Sequence, residues 1–268
     1  MTAVTQITPP VLERYEIKFV IPWSLVEPIS SFAETFCTLD KYSERSHDKF
    51  YRVNNLYLDT PYLLFLRNRM DDCENRFNMR IRSYGNHPQL PYFLEIKQKR
   101  AEKMLKYRSR VYEENWYELF GPHQYDPGPV SDEKELRNRN LFKRLVYSYN
   151  AGPKVLTQYR RKAYVSDCEE YARLTFDINL RYMAEERYNL CPVEDRMVSC
   201  DHEVNFTPHC NVILELKSYT SHVPLWMMDL IRAFDLQSRG FSKYAAGMEA
   251  VMQDVWNDNP PRETTLRF

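Results

Sequence analysis

Glycine is scarce, at 6 residues in 268, and 20 tyrosines accompany it. That balance excludes a low-complexity chain and favours ordered strands. Net charge is absent: 37 basic residues face 37 acidic ones. Generic attraction to nucleic acid is thereby excluded, and any basic site must be local. The six cysteines (Cys37, Cys73, Cys168, Cys191, Cys200 and Cys210) show no CxxC spacing. This argues against a zinc module or a disulfide framework and fits a reducing compartment. No apolar run approaches the roughly 20 residues of a membrane span, and the N-terminus lacks the pattern of a signal peptide. A soluble, cytoplasmic chain is expected, without membrane insertion of its own, and a membrane-protein partner is compatible with that. GxxxxGK[ST], GxGxxG after a strand, GxSxG and HExxH are all missing, which removes the commonest nucleotide loops, nucleophile elbows and zinc proteases.

What is present is a repeated tripeptide. Glu-x-Lys occurs as Glu16-Ile17-Lys18, Glu95-Ile96-Lys97 and Glu215-Leu216-Lys217, each in strand-like surroundings. Residues two apart on a strand share a face. Each copy therefore sets a carboxylate and an ammonium on one side and apolar residues on the other.

The alternation predicts a strand at about 13–21, a helix from Pro22 to Leu39, a strand ending at Asp59 and a short helix from Pro61. Three strands (RFNMRIRSY, YFLEIKQKR, KMLKYRSRVYEE) follow, then a helix at about 131–149 and two more strands (KVLTQYRRKAYV, YARLTFDINLRY). An excursion over 183–210 precedes the third Glu-x-Lys strand, and two helices close the fold. Residues 1–11 read as a disordered lead, 12–257 as a single domain and 258–268 as a loose tail. The order predicts an α+β protein on an antiparallel sheet.

Positive charge dominates most polar faces: Arg80 and Arg82; Lys97 and Lys99; Lys106, Arg108 and Arg110; Arg161 beside Tyr159. RLTFDINLRY places Arg173, Thr175, Asp177, Asn179 and Arg181 on one side. Any one such face suits the wet side of an antiparallel sheet. Together they crowd like charges, which is costly unless an anion neutralises them. The alternative is an eight-stranded antiparallel β-barrel, basic inside, with helices packed on the outside. Arginine forks and lysine ammoniums suit linked phosphates. Glu16, Glu95 and Glu215 either pair with their own lysines or hold a hard divalent cation, Mn²⁺ or Mg²⁺, between phosphates. Ser242 alone reads as an N-cap; with Lys243 it also suits a phosphate at a helix start.

RYEIKF, MRIRS, LEIKQKR, YRRKAY, LTFD, LELK and FSKY, in that order, resemble the VTC domain, the polyphosphate polymerase domain of the vacuolar transporter chaperone family. That family lies within the CYTH, or triphosphate tunnel metalloenzyme, superfamily. The resemblance implies a tunnel that takes ATP, triphosphate and polyphosphate with a divalent metal. It implies phosphate binding by Lys18, Arg80, Arg82, Lys97, Lys106, Arg161, Arg173, Lys217 and Lys243, hydrogen bonds from Tyr159 and Ser242, and metal ligation by Glu215 with Glu16 and Glu95 nearby. Arg14 stands where the superfamily's ExExK opening has an acid, which points from the two-metal hydrolases towards the polymerase. A triphosphatase and a non-catalytic polyphosphate-binding module are the alternatives.

Overall fold

Alternating apolar and charged residues give each strand one side for a core and one for a concave surface. The computed structural model describes residues 14–101, 103–121, 132–199, 211–219 and 223–258. β1 (Arg14–Ile21) leads to α1 (Val26–Ala33), β2 (Cys37–Leu39) and α2 (Lys41–Arg45). β3 (Tyr51–Asp59), α3 (Leu64–Met70), β4 (Asn75–Tyr84), β5 (Gln89–Arg100) and β6 (Lys103–Val111) follow. After α4 (Glu133–Tyr149) come β7 (Gly152–Ser166), β8 (Ala172–Ala184), β9 (Val198–Ser199), β10 (Val212–Tyr219), α5 (Leu225–Ala233) and α6 (Lys243–Asp258).

Eight strands form the antiparallel path β1-β10-β8-β7-β3-β4-β5-β6, with β2 added to β7 and β9 to β8. The expected class and the eight-stranded antiparallel core hold. Backbone closure into a barrel does not: among the described residues no ladder joins β1 to β6. The gap is spanned by side chains, with Lys97 Nζ of β5 donating to Glu16 of β1 at 3.2 Å.

The convex side carries two apolar layers. Phe19, Leu174, Phe176, Leu214 and Leu216 pack under α1 and α5, whose Ile29, Trp226 and Leu230 are buried. Leu56, Met79, Ile81, Leu94 and Ile96 pack under α4 through Phe142 and Val146. These helices take the outside position expected of them. α6 does not. Its Gly247 approaches the Thr157 and Val155 side chains, so close that an added Cβ would lie 3.2 Å from Thr157 Cγ2. Thr157 shares its face with Tyr159 and Arg161, so α6 lies on the concave side, over Val155, Leu180, Tyr182 and Ile213. Asp59 secures this end. It accepts from the N–H groups of Phe65 and Leu66 at the start of α3, at 2.9 Å each, and from the Tyr244 hydroxyl of α6.

Two local readings change. The first helix stops at Ala33, and Cys37–Leu39 pairs with β7 instead of extending it, because that backbone finds a strand partner in Tyr164–Ser166. On β8, Asn179 adopts φ +52°, and two β8 residues oppose Tyr159, a bulge that resets the alternation. Arg181 consequently turns to the convex side, where it meets Gln158 and Glu194, away from Asp177. The expected lead (1–11) lies outside the described residues, as does the expected tail (258–268) apart from Asp258, which ends α6. The four cysteines among the described residues are free, and no described helix is long and apolar enough to cross a membrane.

Candidate functional site

The concave face encloses a cleft of about 1280 Å³. Fifteen lysines and arginines line it against five carboxylates, although the whole chain is neutral. All fourteen residues expected from the sequence line this one cleft: Lys18, Arg80, Arg82, Lys97, Lys106, Arg161, Arg173, Lys217, Lys243, Tyr159, Ser242, Glu16, Glu95 and Glu215.

They gather around two buried carboxylates. Glu95, 1% exposed, sits on β5 between β4 and β6, directly opposite Arg80 and Arg108 in register. Arg80 grips its Oε2 at 2.7 Å, Lys106 reaches Oε1 at 2.8 Å, and Arg108 and Arg82 stand at 3.3 and 3.8 Å. Burial would raise the Glu95 carboxyl, but the guanidiniums of Arg82 and Arg80 hold it well below the usual carboxylate range.

Glu215, 4% exposed, sits on β10 opposite Lys18 of β1 and Thr175 of β8. Its oxygens face Lys217 at 2.5 Å, Lys243 at 3.1 Å, Arg161 at 3.4 Å and Lys18 at 3.9 Å. Against the pull of burial, Lys217 and Lys243 hold it ionised well below its ordinary range. Asp177 completes this group, taking Arg161 in a two-point grip at 2.6 Å and Lys243 at 2.6 Å. Glu16 lies between the two groups, 3.1 Å from Lys18 and 3.2 Å from Lys97.

Tyr159 connects the clusters: its hydroxyl accepts from Arg82 at 3.3 Å, and its ring lies under Arg161 and Lys243. Arg82 also donates to Asn55 at 2.8 Å. Ser242 accepts from the Ala245 N–H at 3.3 Å and thus caps α6, which aims Lys243 at Glu215. Arg173 is exposed, over the ring of Tyr171. Sequence reading assigned Arg108 no role in the site, although it shares a strand face with Lys106; Asp177, read there as an acid on the same face as the cations, stands opposite Arg161. Arg239 on the cleft wall follows α5 in a segment without alternation, and no sequence signal marked it.

Glu16, Glu95 and Glu215 do not converge as ligands. Among the described residues no three of His, Cys, Asp or Glu are close enough to hold a metal by themselves. Glu95 belongs to the Arg80 group and is separate from Glu215. The donor set still fits a small hard cation. Mg²⁺-like ions use one or two carboxylates and take other oxygens from water and substrate phosphates, and Glu215 with Glu16 supplies that number of hard oxygen donors.

The model of the VTC domain matches residues 13–252. A comparison with curated proteins found no match. Among solved structures, a candidate adenylate cyclase from Bacillus halodurans aligns at 11% identity and TM-score 0.47, covering 86% of this chain and 94% of that one. A candidate adenylate cyclase from Vibrio parahaemolyticus aligns at 8% identity and TM-score 0.45, covering 88% and 97%. A candidate adenylyl cyclase from Hippeastrum, described as having a dominant triphosphatase activity, aligns at 15% identity and TM-score 0.45, covering 89% and 96%. These values are too low for substrate or reaction to be carried across.

Proposed function

The chain belongs to the VTC domain family, and from that premise we propose that it is a polyphosphate polymerase, moving the γ-phosphoryl group of ATP onto a growing inorganic polyphosphate chain. The observation that carries the reading is the excess of fifteen cations over five carboxylates in one cleft of a neutral protein. A chain of linked phosphates is the ligand such a surface can neutralise along its length.

In this reading the lysines and arginines exchange their carboxylate partners for phosphate oxygens. A terminal oxygen of the chain attacks the γ-phosphorus in line; that P–O bond forms as the bond to the β–γ bridging oxygen breaks, and ADP leaves. The attacking oxygen is already largely ionised near neutral pH, so positioning and charge neutralisation supply the catalysis. Arg80, Arg82 and Arg161 orient equatorial oxygens, and Lys243, fixed at the start of α6, meets the charge that develops. A divalent cation, Mn²⁺ or Mg²⁺, would be held by Glu215 with Glu16 and would neutralise phosphate oxygens. ATP as donor places the protein in an ATP-containing compartment such as the cytoplasm.

The alternative is a triphosphatase. Hydrolysis needs water activated by a base or a metal. Here a metal held by Glu215 and Glu16 would supply that activation, so the products of the reaction separate the two readings. Incubation with ATP and Mn²⁺ tests the assignment. Long phosphate chains resolved on a gel, with stoichiometric ADP, are expected. Free phosphate as the sole product would make the protein a hydrolase, and tight polyphosphate binding without turnover would make it a binding module.

A further inference from the structure

Three adjacent strands change character at the same end of the cleft. The concave face of β3 begins with Tyr51, that of β4 ends with Tyr84, and that of β5 carries Phe93. The next concave positions inward on β4 and β5 are Arg82 and Glu95, and Phe93 lies level with Arg82, so charge gives way to rings in a staggered step at this end. Tyr42 of α2 adds a fourth ring. It stacks on Tyr84 at 5.4 Å and 11°, and its centroid lies 5.4 Å from that of Tyr51; Phe93 meets Tyr84 edge-on at 5.5 Å. All four rings line the cleft, and Tyr42 is 39% exposed.

The ring faces offer nothing to phosphate oxygens, yet this corner is continuous with the cationic surface. The Arg108 guanidinium lies 3.8 Å from the Phe93 ring centre, donates to the Tyr84 hydroxyl at 3.4 Å and stands 3.3 Å from Glu95. Asp40 sits in the same corner and lines the cleft: its Oδ1 caps α2 by accepting from the Tyr42 and Ser43 N–H groups at 3.1 and 2.8 Å, and its Oδ2 accepts from the Tyr51 hydroxyl at 3.2 Å and has a lone pair to spare. An aromatic surface, a carboxylate able to accept from an amine and a descending row of guanidiniums match the two halves of one kind of molecule.

We propose that this corner is a nucleobase subsite. A base with an exocyclic amine stacks on the rings around Tyr42 at the rim, and its triphosphate runs inward past Arg108 and Arg82. The nucleotide is thereby oriented, base outward and γ-phosphate innermost. The inference rests on the reading of the cleft as a polyphosphate site and adds to it a preference for nucleotide over inorganic triphosphate.

Titration calorimetry on the whole chain tests it, with β,γ-imido-ATP and inorganic triphosphate as probes, each with Mg²⁺. Tyr42→Ala is expected to weaken the ATP analogue by about tenfold, the size of one base–ring stack, while triphosphate affinity stays within about twofold. Tyr42→Trp should retain the affinity for the analogue. Equal weakening of both probes overturns the subsite, because the ring would then only shape the cleft. No weakening of either overturns it as well. Wild-type protein that binds triphosphate but not the analogue sinks the subsite alone; protein that binds neither removes the polyphosphate reading and the subsite with it.

Discussion

Between Val155 and Arg161, β7 passes from the floor beneath α6 to the floor of the open cleft. Both residues lie on its concave face, but their surroundings differ. At the α6 end the face carries Val155, Leu180, Tyr182 and Ile213, all buried against a helix. Six residues further along β7, it carries Arg161 gripped by Asp177, beside Glu215 and Lys243. The first end is stabilised in the ordinary way, by apolar area removed from water. The second crowds desolvated charges whose mutual pairing at best offsets their dehydration. A fold gains little from that arrangement, so the second end is the one that invites a functional explanation, and the first holds it in shape.

The sharpest way to break this division is to remove a cleft cation that does little for folding. Arg173 is exposed over Tyr171 and has no carboxylate grip like that of Arg161. Arg173→Ala should lower turnover of ATP into polyphosphate at least about 100-fold, as loss of a charge-stabilising donor does. Its urea midpoint should stay close to wild type. Full activity in that variant would remove Arg173 from the site. The converse change is Asp59→Ala, which strips two N–H caps from α3 and the hydroxyl partner from Tyr244. We expect a loss of about 2–4 kcal/mol, read from denaturant unfolding. A midpoint unchanged from wild type would mean that the α6 end is not fastened there.

A smaller effect sharpens the comparison through pH. Burial lowers the Lys97 ammonium to about 8 and the Lys106 ammonium to about 7. Lys106 keeps 43% of its side chain in solvent, which offsets part of that depression. A phosphate bound beside either group favours the charged form, so binding takes up protons where the free ammonium has begun to lose them. Triphosphate affinity should therefore fall as pH rises from about 7 to 9, by at most about tenfold per pH unit for each proton taken up. Calorimetry in buffers of different ionisation enthalpy reads the uptake directly; affinity that rises over this interval would contradict it.

Much of the charged end was legible in the sequence because a strand's period of two needs no tertiary information. Glu16 and Lys18, Arg80 and Arg82, and Glu95 and Lys97 share faces as their spacing predicts. Arg181 was misread for the same reason. The rule assumes an unbroken strand, and Asn179, one of the few residue types at ease with positive φ, inserts a bulge that no count of alternation reveals. The place of α6 was also hidden. An amphipathic helix signals that it covers something, and only its small residues, Ala245, Ala246 and Gly247, hint at an unusually close approach to a sheet. The strand at Cys37–Leu39 depends on a partner more than 100 residues away, beyond the reach of local pattern.

Among the described residues no ladder joins β1 to β6, and this has a mechanical consequence. A closed barrel fixes its bore by the number and stagger of its strands. Here one seam is spanned by the Glu16–Lys97 ion pair, which fixes no register as a ladder of backbone hydrogen bonds does. The bore at this seam is therefore set by side chains and not by strand register, and substitutions at Glu16 or Lys97 would alter it where a closed barrel would resist the change.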